Sequence, residues 1–213
     1  MEIDQLRTHI AGELGRWRVP GLELAVVRNQ QVLLADGFGL RDVEQNLPVT
    51  AHTVFHHGST CKAFTGVLVG TLVDDGLLEW DRPVREYLAD FRVHDSALTE
   101  RITVTDLLSH RSGLTRHEWV WLANPSASIR DLVHRLRYLE SNLQLRATFE
   151  YSNLAYMVAG HLVAEVTGSS WHDQMRKRVL EPLGMRQTVT SVTEAQLREH
   201  AEAYGRPANE TGN

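Results

Sequence analysis

Apolar residues recur at helical spacing at the start of the chain, where Ile3, Leu6, Ile10, Leu14 and Trp17 share one face before Pro20 and Gly21 interrupt the pattern. The spacing predicts an amphipathic first helix. The period then changes: residues 22–28 and 31–38 are two runs rich in Val, Leu and Ala around Asn29-Gln30. Two such runs joined by a two-residue turn predict a β-hairpin that opens an antiparallel sheet. Gly37, Gly39, Asp42 and Asn46 read as a loop, and Thr53-Val54-Phe55 as a short extended piece leading to Ser59.

From Ser59 onward the pattern is helical. Phe64, Val67, Leu68, Thr71 and Leu72 fall on one helical face, with Gly76 as a stop. Asp81 is placed to cap a short helix that buries Val84, Tyr87 and Leu88. Thr103 and Asp106 make a capping box for a helix over 102–110 that stops at Ser112-Gly113. Amphipathic spacing over 129–139 and a strongly apolar run over 154–166, closed by Gly168, give two more helices. The expected class is α+β, a mostly helical lobe preceded by the first strands of an antiparallel sheet. The whole reads as one domain, with 1–50 supplying the first helix and strands, 51–190 the helical lobe and 191–213 a tail.

Composition narrows the function. A chain of 213 residues, 42% hydrophobic and 23% charged, has room for one good core. Its 22 basic and 27 acidic residues are intermingled at a net charge of −5, so no basic stripe invites nucleic acid and no polybasic patch invites an anionic membrane. Cys61 is the single cysteine, which rules out an intramolecular disulfide, and it is expected to pack as a small apolar side chain behind Ser59. The first residues lack the layout of a leader and no run of 18 apolar residues occurs, so the expected location is cytoplasmic. His56, His57, His110, His117 and His161 show no ligand spacing, and Gly37-Phe38-Gly39 lacks the helix and lysine of a phosphate loop. Neither a metal nor an organic cofactor is expected.

The candidate chemistry begins at Ser59. A serine opening a helix is ordinarily an N-cap, but Lys62 follows by three residues and lies on the same face one turn on. That spacing sets an amine against a hydroxyl, a nucleophile beside its proton acceptor. The pattern S-x-x-K alone has little specificity, and support has to come from elsewhere in the chain. It comes from Phe149-Glu150-Tyr151-Ser152-Asn153, a loop entering the apolar helix, which can bring a phenol and an amide to the serine. The alternative for Tyr151 is a buried phenol satisfied by a backbone partner, the reading preferred for Tyr87, Tyr138 and Tyr156. Trp119 and Trp121, with Leu122, either line the mouth of a substrate site or belong to the core.

Five ordered blocks carry a resemblance. They are Gly58-Ser59-Thr60-Cys61-Lys62-Ala63-Phe64-Thr65; Asp75-Gly76-Leu77-Leu78 with Asp81-Arg82-Pro83-Val84; Ile102 to Leu114; Phe149-Glu150-Tyr151-Ser152-Asn153; and Glu181-Pro182-Leu183-Gly184-Met185. From about Gly21 to Met185 the chain resembles the serine β-lactamase-like hydrolases, a group that contains class C β-lactamases, DD-peptidases, D-aminopeptidases and related esterases. The resemblance implies a β-lactamase/transpeptidase-like fold and hydrolysis of amide or ester bonds in a small molecule or short peptide. It further implies Ser59 as the acylated nucleophile, Lys62 as its proton partner, and Tyr151 as base in acylation and acid toward the leaving group. Asn153 would hold the substrate amide or ester. Two departures stand out. Where the family has Pro-Gly ahead of the tyrosine motif, this chain has Leu145-Arg146-Ala147-Thr148, and nothing after Met185 supplies the family's Lys-Thr-Gly or His-x-Gly strand. The chain is therefore expected to be the N-terminal portion of a longer enzyme and, as given, to be impaired in turnover and to self-associate or take a C-terminal partner segment. The rival reading is a catalytically silent binding or scaffold member of the same fold.

Overall fold

The computed structural model describes residues 2–141 and 143–205, which form two compact units, one of residues 2–57 and 186–205 and one of residues 58–185. In the first unit, Glu2 and Gln5 close a capping box that opens α1 (Ile3–Trp17). The helix stops at Arg18, whose φ of 53° is left-handed, two residues before the proline that marks the stop in the sequence. Ile10 is buried but Trp17 is 58% exposed, with its Nε1 donating to Glu13 Oε2 at 2.7 Å. The apolar face is thus one residue shorter than the periodicity predicts.

β1 (Gly21–Arg28) and β2 (Gln31–Asp42) pair antiparallel from Gly21↔Gly39 to Arg28↔Gln31, with an irregularity at Val26/Val27. Asn29 and Gln30 both have positive φ, 50° and 64°, the twist of a type I′ hairpin turn. The sequence pattern ends the second strand at Phe38 and places Gly37 and Gly39 in a loop. In the structure β2 runs on to Asp42 and pairs with β3 (Leu47–Pro48), giving a three-stranded sheet in the order β1-β2-β3. The glycines serve close approach rather than turning. A Cβ on Gly37 would lie 2.5 Å from the Val49 carbonyl, and one on Gly39, at φ 73°, would strike the carbonyl of Pro20. Gly37→Ala is expected to lower stability by about 1–3 kcal/mol, the usual cost of overpacking against backbone that cannot yield, read as a drop in Tm.

The second unit holds the larger core. A 3₁₀ turn (Gly58–Thr60) runs into α2 (Cys61–Asp74), and Ser59 therefore stands in the turn before the helix rather than as its N-cap, which is Thr60. The buried residues of α2 are Thr65, Leu68, Val69 and Leu72, a face rotated from the predicted one, and Val67 is 55% exposed. Short helices follow: α3 (Val84–Tyr87), α4 (Ser96–Arg101), α5 (Val104–Leu108), α6 (Trp119–Leu122) and α7 (Ile129–Arg135). α3 is capped by Pro83, not Asp81, whose Oδ1 instead accepts from Thr105 Oγ1 at 3.3 Å. The helix predicted over 129–139 ends as α7 and continues as a 3₁₀ turn, Leu136–Tyr138, that leaves Tyr138 75% exposed.

At the centre lies α8 (Asn153–Thr167), opened by the buried Ser152, whose hydroxyl accepts from the Ala155 amide at 3.2 Å, and closed by Gly168 at φ 64°. Leu154, Ala155, Val158, Ala159, Leu162 and Val163 are each no more than 2% exposed, and the helix packs against α2, α5, α7 and α9 (Trp171–Met175). Leu162→Ala is expected to destabilise by about 2–5 kcal/mol, the range for a buried leucine that leaves a cavity. A π-helical segment, Arg176–Leu180, follows α9 in the same unit.

α10 (Val192–Gln196), capped by Ser191, returns the chain to the first unit. The residues read as a tail from 191 on include this helix and a parallel bridge between Val54 and His200. Glu199 accepts from the hydroxyls of Thr50 and Thr53 and so holds the segment down. Residues 206–213, the rest of that expected tail, lie outside the described residues. Among the described residues no helix is long and apolar enough to cross a membrane.

Candidate functional site

Three segments of the helical unit meet at Ser59. The 3₁₀ turn before α2 brings Ser59 and α2 brings Lys62, the entry to α8 brings Tyr151 and Asn153, and the turn after α5 brings His110. The local reasons are visible in the sequence. The 3₁₀ turn at Gly58, φ 53°, swings the chain into α2 so that Ser59 and Lys62 face the same way. Ser152 as N-cap fixes Tyr151 just outside α8 and Asn153 at its first position.

Lys62 Nζ donates to Ser59 Oγ at 3.1 Å and to Asn153 Oδ1 at 2.7 Å. Tyr151 O–H donates to Ser59 Oγ at 2.5 Å. The ammonium also lies 4.8 Å from the centre of the Tyr151 ring and 5.3 Å from that of Tyr156. The serine oxygen is thus an acceptor for a phenol and an amine at once. Burial pushes the Tyr151 phenol up, but hydrogen bonds with Lys62 and Ser59, together with the Lys62 charge, outweigh it and hold the phenol below its ordinary pKa.

His110 is the frame for Tyr151. Its ring packs 4.6 Å from the tyrosine ring and its Nδ1 accepts from the Ser152 amide at 3.1 Å, so the imidazole carries no proton on that nitrogen. Burial and then the Lys62 charge hold His110 below its ordinary pKa, which favours the neutral ring. The His110 carbonyl accepts from the Glu150 amide at 2.9 Å. Tyr156, read as a backbone-satisfied phenol, is one: its hydroxyl donates to the Leu108 carbonyl at 2.9 Å.

The segment in which Pro-Gly was expected has its own solution. Arg146 takes a φ of 66°, the region glycine favours, and its guanidinium donates to both oxygens of the buried Asp106 at 2.8 and 2.9 Å. Burial raises the Asp106 carboxyl, but hydrogen bonds from Arg146 and Thr103 and the Arg146 charge bring it below the ordinary carboxylate range. A depressed folded-state pKa contributes stability that is present above the unfolded value and lost as pH falls through the folded one. Acid unfolding of the wild type is accordingly expected to be steeper than that of Asp106→Asn. Arg146→Ala is expected to cost about 1–3 kcal/mol at neutral pH by leaving a buried acceptor short of its donors.

The remaining candidates separate. Trp121 packs against the core and its Nε1 donates to Glu118 Oε2 at 2.9 Å, whereas Trp119 is 78% exposed. Cys61 is exposed rather than packed behind Ser59. Glu118, which the sequence reading did not single out, accepts from Asn153 Nδ2 at 3.1 Å. Among the described residues no three His, Cys, Asp or Glu side chains are grouped to hold a metal ion.

Comparison with known proteins gives this geometry a context. The family model described as Beta-lactamase matches residues 6–213. The Unguisins hydrolase ungD' of Aspergillus campestris is 37% identical over 201 residues, covering 90% of this chain and 37% of that protein. Among solved structures, the octameric penicillin-binding protein homologue from Pyrococcus abyssi aligns with a TM-score of 0.86 at 26% identity, over 98% of this chain and 49% of that one. The D-amino acid amidase from Ochrobactrum anthropi aligns with a TM-score of 0.80 at 25% identity, over 99% of this chain and 58% of that one. The chain thus spans a little over a third of the length of that curated relative.

Proposed function

The chain belongs to the beta-lactamase family, and from that premise we propose that it is a serine hydrolase that opens amide or ester bonds through an acyl-enzyme on Ser59. The observation that carries the reading is the pair of contacts on one oxygen, with Lys62 Nζ and Tyr151 O–H both on Ser59 Oγ. A hydroxyl so placed can lose its proton to the phenolate form of Tyr151 as Oγ attacks the substrate carbonyl. The new bond is Oγ–C, and the displaced charge passes to the carbonyl oxygen. Tyr151 then returns its proton to the leaving nitrogen or oxygen as the C–N or C–O bond breaks. In the second half Tyr151 takes a proton from water, the hydroxide attacks the ester, and Ser59 recovers its proton. Lys62 is proposed as the serine's proton partner, held on Ser59 Oγ at 3.1 Å, and its hydrogen bond and charge keep the Tyr151 phenol acidic enough to cycle.

Asn153 is proposed to bind the substrate's amide or ester group, and Trp121 to wall the site beside it. Trp119, solvent-exposed, is proposed to meet only the outer part of a substrate. The test is a panel of a p-nitrophenyl ester, a D-amino-acid amide and a penicillin, each followed with wild type and with Ser59→Ala. Consumption of at least one by the wild type alone supports the proposal. Equal rates with both proteins, or none with either, favour the catalytically silent alternative.

A homo-oligomer, or a pairing with a C-terminal partner segment, is proposed on separate grounds. Among the described residues β1 is paired on one side only, and Val27 beside its turn is 60% exposed. An edge strand of this kind is a template for another strand. Light scattering is expected to give a mass above the monomer that rises with concentration; a monomer at every concentration would count against it.

A further inference from the structure

Glu118 lies 35 residues before Asn153 in sequence and directly against it in space. Its side chain is 22% exposed, and both carboxylate oxygens accept hydrogen bonds. Oε1 accepts from Asn153 Nδ2 at 3.3 Å and Arg116 Nε at 3.4 Å, and Oε2 accepts from Asn153 Nδ2 at 3.1 Å and Trp121 Nε1 at 2.9 Å. A carboxylate so occupied has little left for a substrate. On the other side of the same amide, Asn153 Oδ1 accepts from Lys62 Nζ at 2.7 Å.

An amide held between a carboxylate and an ammonium has one tolerable orientation. Turned over, it would set its oxygen on the carboxylate and its NH₂ on the ammonium, losing two charge-assisted hydrogen bonds and gaining two repulsions. We propose that Glu118 is a positioning residue that acts through Asn153, locking the amide with Oδ1 toward Lys62 and so holding the ammonium beside Ser59 and Tyr151. The inference rests on the hydrolase reading only for its kinetic consequence. Its structural content is the orientation of one side chain and the charge that this orientation places on Tyr151.

The consequence can be read on the phenol. Facing Tyr151 are Ser59, Cys61 and Lys62 from α2 and its approach, His110 after α5, Arg116 before α6, and Tyr156 on α8. Of these, Lys62 is the group whose position Asn153 controls. If Glu118 no longer holds the amide, the Lys62 ammonium loses its acceptor and its grip on the phenol weakens, so Tyr151 should titrate higher.

Four proteins separate positioning from mere charge: wild type, Glu118→Ala, Glu118→Gln, which keeps the reach without the charge, and Glu118→Asp, which keeps the charge without the reach. Each is made with Asn153 and with Asn153→Ala. Tyr151 is titrated by NMR on ¹³C-labelled tyrosine, and acylation is timed with a fluorophosphonate. With Asn153 present, Glu118→Ala and Glu118→Asp are expected to raise the Tyr151 midpoint by about one pH unit and to slow acylation about tenfold. Glu118→Gln should stay near wild type. With Asn153→Ala, changing Glu118 should move both readouts much less than it does with Asn153 present, the remainder passing through Arg116, because coupled residues are not additive. An unchanged midpoint in both Glu118→Ala and Glu118→Asp, or effects that simply add to those of Asn153→Ala, would overturn the proposal. Should Glu118→Ala fail to fold, Glu118→Asp against Glu118→Gln decides it. A midpoint that moves in a protein the probe never labels would leave Glu118's role standing and remove the hydrolase reading, whereas labelling with a fixed midpoint would do the reverse.

Discussion

Tyr151→Phe is expected to slow acylation of Ser59 by about 10² to 10⁴, the range for losing a positioned acid or base. The substitution removes one oxygen and keeps the ring, which stays packed on His110, so the melting temperature should barely move. The pH profile gives the second half of the prediction. Burial lifts the phenol's pKa, but the Lys62 and Ser59 hydrogen bonds and the Lys62 charge more than offset it. The wild-type rate should therefore climb with pH and level off at a midpoint below the ordinary phenol value of about 10. Tyr151→Phe should lack that limb. Quenched labelling with a fluorophosphonate across pH measures both, and a profile shared by the two proteins would remove Tyr151 from the mechanism.

Lys62→Ala is expected to be at least as severe, with a loss on the order of 10³ or more, because residues that work as a unit fail together. Three contacts go at once. Ser59 Oγ loses a donor, Asn153 Oδ1 loses the ammonium at 2.7 Å, and Tyr151 loses the charge that keeps it acidic. The sign for Tyr151 is upward: without Lys62 only burial and weaker contacts remain, and less phenolate is present at neutral pH. The double variant Lys62→Ala with Tyr151→Phe should be hardly slower than the worse single one. Multiplying losses would mean that the two side chains act independently.

The parts of the candidate site that are legible in the sequence are those carried by local spacing. Ser59 and Lys62 are three residues apart, and Tyr151, Ser152 and Asn153 are consecutive, so a helix turn and a helix cap suffice to aim them. Glu118 and His110 were not legible as partners of that group because they reach it across 35 and 42 residues. Such contacts depend on how α5 and α6 pack against α8. Arg146 was seen only as a missing Pro-Gly, because a left-handed arginine stabilised by a buried aspartate leaves no local mark.

The fold followed the same division. α8 and its glycine stop, the Thr103–Asp106 capping box and the Asn29-Gln30 hairpin are all encoded within a few residues and came out as read. The exposed faces did not. Val67, Trp17, Tyr138 and Cys61 are apolar or aromatic by type but are exposed among the described residues, which periodicity cannot foresee. Gly37 and Gly39 were read as loop punctuation, whereas the constraint they answer is a backbone within reach of Val49 and Pro20.

One oxygen atom, Ser59 Oγ, carries the proposed chemistry, and intact-mass spectrometry with peptide mapping after a fluorophosphonate or penicillin probe tests its role most directly. The prediction is one adduct per chain, on the peptide holding Ser59, present in the wild type and absent in Ser59→Ala at an unchanged melting temperature. Equal labelling of wild type and Ser59→Ala, or an adduct on Cys61 or another residue in place of Ser59, would contradict it.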